Sequence, residues 1–243
     1  MFRNRELIGD VLALRPDTPK DSYSSSRNSI SESFLRQASV PAFLKRCLDL
    51  VLGIIILCLA LPLMILLVLQ VKIDSPGPVI FTDLRLGRYG KVFKCYKFRT
   101  MYMESAQLIE KYWQDNPESR EEWEKYGKLK RNDPRVTRCG KWLRRSSMDE
   151  LPQLFNVLRG EMSLVGPRPY LSEEKSAMGE YADIIMAISP GITGLWQVSG
   201  RNELEFKERL RIDVNYVCKR SCWLDTLILL RTIVAVISRK GAY

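Results

Sequence analysis

The sequence predicts an α+β chain, mostly helical, with a re-entrant membrane helix broken by a proline, a small β-hairpin, and interfacial amphipathic helices around one polar domain. Three observations carry that prediction. Leu50 to Leu69 is one apolar run, long enough at about 1.5 Å per residue to cover the roughly 30 Å hydrocarbon layer. Val79 to Phe98 alternates apolar and polar residues about a glycine-containing turn, the signature of a two-stranded ribbon. Glu104 to Lys130 and Trp223 to Ser238 have helix-forming composition, and a chain of 243 residues is expected to hold one such domain.

Taken in order, residues 1–40 mix charge with a serine cluster and bury little, so a disordered arm is expected. Residues 41–73 form the membrane segment. Pro62 lies inside its apolar run and removes a backbone hydrogen bond. Basic residues flank the run on both sides, Arg36, Lys45 and Arg46 before it and Lys72, Arg85, Arg88 and Lys91 after it, and basic flanks mark the cytoplasmic face. Two arrangements fit: a helix that bends at Pro62 and leaves by the face it entered, or an ordinary span with a mild kink. Arg46 and Asp49 stand just outside the hydrocarbon, placed to anchor the helix start to the domain or to lipid headgroups.

Residues 74–243 make up the domain. The predicted hairpin runs Val79-Ile80-Phe81-Thr82, turns at Gly87-Arg88-Tyr89-Gly90 and returns through Val92 to Phe98, which puts Lys97 and Arg99 near a strand end. Glu104 to Lys130 reads as two solvent-facing helices parted near Asn116-Pro117, with Trp113 and Trp123 as packing anchors. Trp223 to Ser238 is shorter and more polar than a full span, and fits an interfacial helix in the headgroup plane or a buried core helix.

The chemistry is concentrated around Arg144-Arg145-Ser146-Ser147-Met148-Asp149-Glu150-Leu151-Pro152. Pro152 fits only in a helix's first turn, so the adjacent carboxylates of Asp149 and Glu150 fall at or before that turn, where free amides favour anions. Ser147 with Glu150 also matches a capping box. A cap alone leaves Arg144, Arg145 and Arg168 unexplained; acids beside guanidinium groups point to phosphate chemistry.

Composition narrows the classes. Lys and Arg number 38 against 28 Asp and Glu, a net charge of +10, which suits anionic lipids and polyanionic substrates. No zinc-finger, helix-turn-helix or RNP pattern occurs, so no nucleic-acid partner is expected. The sequence has no histidine, which excludes imidazole catalysis and ligation. Its six cysteines, Cys47, Cys58, Cys95, Cys139, Cys218 and Cys222, show no CxxC pair and read as reduced.

Several motifs then stand in one order: Lys45-Arg46-Cys47-Leu48-Asp49, Ser75-Pro76-Gly77-Pro78, Lys97-Phe98-Arg99-Thr100-Met101, Ser147 to Leu154, Val165-Gly166-Pro167-Arg168-Pro169, Pro190-Gly191-Ile192-Thr193-Gly194 and Gly200-Arg201-Asn202. The chain, over roughly residues 41 to 243, resembles the bacterial sugar transferase family, the monotopic polyprenyl-phosphate phosphoglycosyltransferases. The resemblance implies transfer of a hexose 1-phosphate from a UDP-sugar to undecaprenyl phosphate with release of UMP, the first membrane step of exopolysaccharide or other surface glycan assembly. It implies Asp149 as nucleophile through a covalent phosphosugar intermediate and Glu150 as a holder of Mg²⁺, with Asp213 near the metal. Lys97, Arg144, Arg168 and Arg201 are implied as substrate contacts. The implied setting is the cytoplasmic face of the bacterial inner membrane, among membrane phospholipids, with a homodimer expected. At the bend, Leu61 precedes Pro62 where a serine is common in the family, and the tail Gly241-Ala242-Tyr243 is similar to members that handle galactose or glucose. Against these stand a basic membrane adaptor, which would not need the dyad, and a glycoside hydrolase, whose carboxylates must stand several ångströms apart across a sugar.

Overall fold

The structure, a computed structural model, describes residues 42–126, 129, 133–199 and 204–238. The serine-rich arm, Arg201 and the C-terminal tripeptide lie outside the described residues.

Helix α1 (Ala42–Asp74, 33 residues) is about 50 Å long. Its domain-facing stripe comprises Asp49, Gly53, Leu57, Ala60, Met64, Leu67 and Val71, a spacing of three and four that keeps one face inward. The opposite face is apolar and exposed, from Phe43 at 80% through Leu59 at 78% to Ile73 at 85%. The expected break is absent: helical backbone runs without interruption through Pro62. One missing hydrogen bond is offset by packing on both sides of the proline, where Leu57 and Ala60 on one flank and Met64 and Leu67 on the other pack on the same domain.

The expected hairpin is present. Strand β1 (Ile80–Leu86) pairs antiparallel with β2 (Val92–Phe98), in register from Ile80 opposite Phe98 to Leu86 opposite Val92. Tyr89 and Gly90 both take positive φ at the turn, and the Tyr89 amide is tied to the carbonyl of Met186 at 2.7 Å. Alternation sends Phe93 and Cys95 into the core, and the same period puts Lys97 on their face of the strand.

Helices α2 (Ser105–Asp115) and α3 (Pro117–Tyr126) part at Asn116 as expected, and Trp113 packs edge-on to Trp123 with centroids 6.2 Å apart. Helix α4 (Arg138–Ser146) begins at Thr137, whose hydroxyl accepts the Gly140 amide at 2.9 Å. A Cβ on Gly140 would fall 2.1 Å from the carbonyl oxygen of Thr100, so this glycine sets how closely α4 meets the end of β2. Helix α5 (Gln153–Arg159) follows.

A parallel two-stranded pair was not foreseen: β3 (Ser163–Val165) beside β4 (Gly191–Thr193). Between them lie α6 (Glu174–Met178) and α7 (Tyr181–Ile185). Gly166 and Gly191 meet backbone to backbone; a Cβ on Gly191 would stand 2.1 Å from the Gly166 nitrogen. The chain ends in α8 (Leu195–Ser199), α9 (Phe206–Lys219) and α10 (Cys222–Ser238). The main core joins Phe93, Cys95, Leu154, Val157, Tyr216 and Ile228, and all six cysteines are free thiols. Helix α10 buries Ile228 but leaves Trp223, Leu230, Ile233 and Val234 exposed.

Candidate active site

Asp149 and Glu150 sit in a 3₁₀ turn (Met148–Glu150) that precedes α5, with Pro152 capping that helix. Ser147, at φ 57°, ends α4 and reverses the chain. Its side chain makes no cap hydrogen bond, so the capping-box alternative is not realised. The left-handed turn instead swings Glu150 towards β2.

The two neighbours have different surroundings. Glu150 accepts a 2.7 Å hydrogen bond from the Lys97 ammonium, and the Gln153 amide lies close enough to favour its charged form. Burial would raise its pKa, but the Lys97 charge and hydrogen bond, with Arg168 and Gln153, hold it below the ordinary glutamate value. Asp149 has no side-chain hydrogen-bond partner among the described residues. Burial and the Glu150 charge push it up to about 6, against the opposing pull of Lys97 and Arg144. Lys97, for its part, is raised: burial works against its charge, and Glu150 and Asp149 outweigh it.

Each cation is positioned by a local contact. The Arg144 Nε donates to Thr100 Oγ1 at 2.9 Å, and Thr100 is itself pinned by the Thr137 amide at 3.0 Å. Arg168 lies close enough to help hold Glu150 ionised, and its guanidinium stands over the Trp196 ring at 6.0 Å. Asp213, expected near a metal, is fully buried. It accepts from the Tyr170 hydroxyl at 2.8 Å and the Arg168 backbone amide at 3.4 Å. Desolvation pushes its pKa up to about 7 despite those two donors, and its Oδ1 has no partner among the described residues. Asp213 is thus placed under the Arg168 backbone.

Asn156 is a contributor that the sequence did not disclose. Fully buried, it accepts from the Tyr96 amide at 3.0 Å and donates to the Lys94 carbonyl at 2.7 Å and to Glu161 at 2.7 Å. Its amide satisfies the outer edge of β2 as another strand would, and so fixes α5 against the strand that carries Lys97. Gln153 was equally hidden inside a run that reads as apolar helix. Arg46 and Asp49 act at the far end of α5: Arg46 donates to the carbonyls of Val157 at 2.6 Å and Leu158 at 2.8 Å, while Asp49 accepts from Ser163 Oγ and the Leu164 amide, both at 3.0 Å.

Among the described residues no group of three or more Cys, Asp or Glu forms a metal cage. Mg²⁺ bound with substrate phosphates needs only one or two protein carboxylates, and oxygen donors are its ordinary ligands. The Asp149 and Glu150 carboxylates fit that requirement.

The chain is 49% identical over 201 residues to an undecaprenyl-phosphate galactose phosphotransferase of Salmonella typhimurium, covering 83% of this chain and 42% of that protein. It is 39% identical over 225 residues to the exopolysaccharide production protein ExoY of Rhizobium meliloti, covering 90% of this chain and 99% of that one. To the UDP-glucose:undecaprenyl-phosphate glucose-1-phosphate transferase of Escherichia coli it is 38% identical, across 85% of this chain and 43% of that protein. The chain therefore spans less than half of some relatives and nearly the whole of others. The family model for bacterial sugar transferases matches residues 40–239, a stretch that contains α1, the hairpin and the dyad, and the chain belongs to the bacterial sugar transferase family.

Proposed function

We propose that this protein transfers a hexose 1-phosphate from a UDP-sugar to undecaprenyl phosphate, with Asp149 as the nucleophile. The observation that carries the assignment is the unequal treatment of adjacent carboxylates: Glu150 accepts from the Lys97 ammonium at 2.7 Å, whereas the Asp149 carboxylate has no side-chain hydrogen-bond partner among the described residues. An Asp149 oxygen attacks the phosphorus that bears the sugar, the bond from that phosphorus to the bridging oxygen breaks, and UMP leaves with the electron pair. The acceptor's phosphate oxygen then attacks the same phosphorus, returning the Asp149 carboxylate and giving the lipid diphosphate sugar.

A carboxylate attacking a diphosphate meets like charge, so cations must be in place beforehand. Arg144 and Lys97 flank the dyad, and Arg168 stands beside Glu150. Mg²⁺, held by Asp149 and Glu150 when bound, would neutralise phosphate oxygens and polarise the phosphorus. With a pKa of about 6, Asp149 is mostly ionised at pH 7 yet more basic than an ordinary aspartate, which suits a nucleophile. The donor sugars proposed are galactose and glucose, the hexoses in the names of the relatives.

The membrane placement belongs to the same reading. Both halves of α1 pack on one polar domain: Arg46 and Asp49 near its start, and Asp74 at its end, which accepts the Cys139 amide at 3.1 Å. A perpendicular crossing would drag α4 and α5 into hydrocarbon, so the unbroken α1 lies at the cytoplasmic face with its exposed apolar side in lipid. Single cysteines at Phe43 and Ile73, in a background without the native thiols, should both label from that face; labelling from opposite faces would exclude the arrangement.

The reaction is tested with UDP-[¹⁴C]galactose, UDP-[¹⁴C]glucose and undecaprenyl phosphate in nanodiscs. Label should enter the lipid with matching release of UMP, and without acceptor [³H]UMP should exchange into UDP-sugar. Release of free hexose or of UDP would refute the reading.

A further inference from the structure

We infer that a cavity of about 220 Å³ at the start of α1 binds the phosphate headgroup of a membrane lipid, apart from the Asp149 turn and independently of the reaction proposed there. The cavity and the dyad lie at opposite ends of α5: Gly160 lines the cavity, Glu150 precedes the helix, and α5 itself spans about 10 Å.

Four cations, Lys45, Arg46, Arg88 and Arg220, line the cavity with two carboxylates, Asp49 and Asp225. Both acids are already engaged. Lys45 stands 2.8 Å from Asp225 and 3.4 Å from Asp49, Tyr216 donates to Asp225 at 2.7 Å, and Ser163 and the Leu164 amide hold Asp49. Arg46 is spent on the α5 carbonyls. That leaves Arg88, which among the described residues donates to the neutral acceptors Ala187 O and Tyr89 Oη, and Arg220, whose buried Nε has no hydrogen-bond partner among the described residues. A buried, unpaired guanidinium nitrogen is costly. An anion with several oxygens, above all a phosphate, supplies the missing acceptor in the geometry a guanidinium fork prefers.

Size and surroundings identify the bearer. Pockets for drug-sized ligands run to about 300–1,000 Å³, so this one suits a headgroup rather than a nucleotide sugar. The cavity sits where two apolar helices begin, Ala42 of α1 and Ser221 just before α10 both lining it, and the Lys45–Asp225 ion pair joins their starts. From there Val51 and Ile55 on α1 and Trp223, Leu230 and Val234 on α10 present exposed apolar surface, along which acyl chains can lie while the phosphate enters the cavity.

The test uses delipidated full-length protein in neutral detergent, titrated with dioleoylphosphatidylglycerol, dioleoylglycerol or inorganic phosphate and read by native mass spectrometry. One saturable phosphatidylglycerol adduct is expected. Arg220→Gln and Arg88→Gln should each weaken it about tenfold, the loss of one charge-assisted hydrogen bond, with Arg220→Lys retaining part of the affinity. The distant surface variant Lys111→Gln should bind as the parent does, and dioleoylglycerol should give no saturable adduct. Binding that ignores both arginine substitutions, or falls equally in Lys111→Gln, would overturn the site. Inorganic phosphate binding as tightly as the lipid would assign the cavity to free phosphate and overturn the lipid reading.

Discussion

Helix α5 holds charge at both ends, and the two ends treat it differently. At its last turn, Arg46 donates to the carbonyls of Val157 and Leu158, and Asp49 accepts from Ser163, Leu164 and Lys45. Those charges fasten α1 to the domain. Before its first turn, Glu150 Oε1 accepts from Lys97, but Asp149 has no side-chain partner among the described residues and its proton affinity is raised. A charge whose partners are all supplied by the fold is a fastener, while one left short of partners in a cationic niche is available to a substrate.

That contrast is broken most severely by Asp149→Asn, which should lower turnover by about 10³-fold or more and abolish UMP exchange without unfolding the protein, as circular dichroism would show. At the other end, Arg46→Met should leave activity per folded molecule largely intact but cost about 1–3 kcal/mol, because two part-buried carbonyls lose a charged donor; denaturant midpoints check this. The reverse result, a catalytic loss at Arg46 and a purely stability loss at Asp149, would erase the distinction.

The acidic limb of activity sharpens it. Because burial and the Glu150 charge push Asp149 up to about 6, kcat/KM should fall about tenfold per pH unit below that value as the nucleophile is protonated. Lys97→Met removes a cation that favours both carboxylates, so the limb should move to higher pH. The smallest effect is on stability. The folded pKa of Asp149 lies above its unfolded value, so its contribution is fully present below about pH 4 and is lost as pH rises through about 6. Asp149→Asn should therefore be more stable than the parent at pH 8 and equal to it below pH 4, as thermal melts at the two pH values would show.

What the sequence disclosed follows from where the partners lie. The hairpin was legible because alternation from Val92 to Phe98 and the glycines at 87 and 90 are local signals, and alternation alone puts Lys97 on the face that meets Glu150. The dyad was legible because Pro152 marks a helix start. The pair β3 and β4 was not, since three-residue strands joined across two intervening helices leave no periodic trace. Asn156 and Gln153 read as incidental polar residues in an apolar run, because their partners Lys94, Tyr96 and Glu150 become neighbours only through the fold. Pro62 misled for the same reason: a local rule predicts a break, and packing of α1 on both sides of it prevails.

The most direct measurement is peptide mass spectrometry of protein quenched during turnover with UDP-galactose or UDP-glucose in the absence of acceptor. The account predicts a hexose phosphate adduct on Asp149, chased away by undecaprenyl phosphate. An adduct on Glu150 or any other residue, or turnover with no adduct, would contradict it.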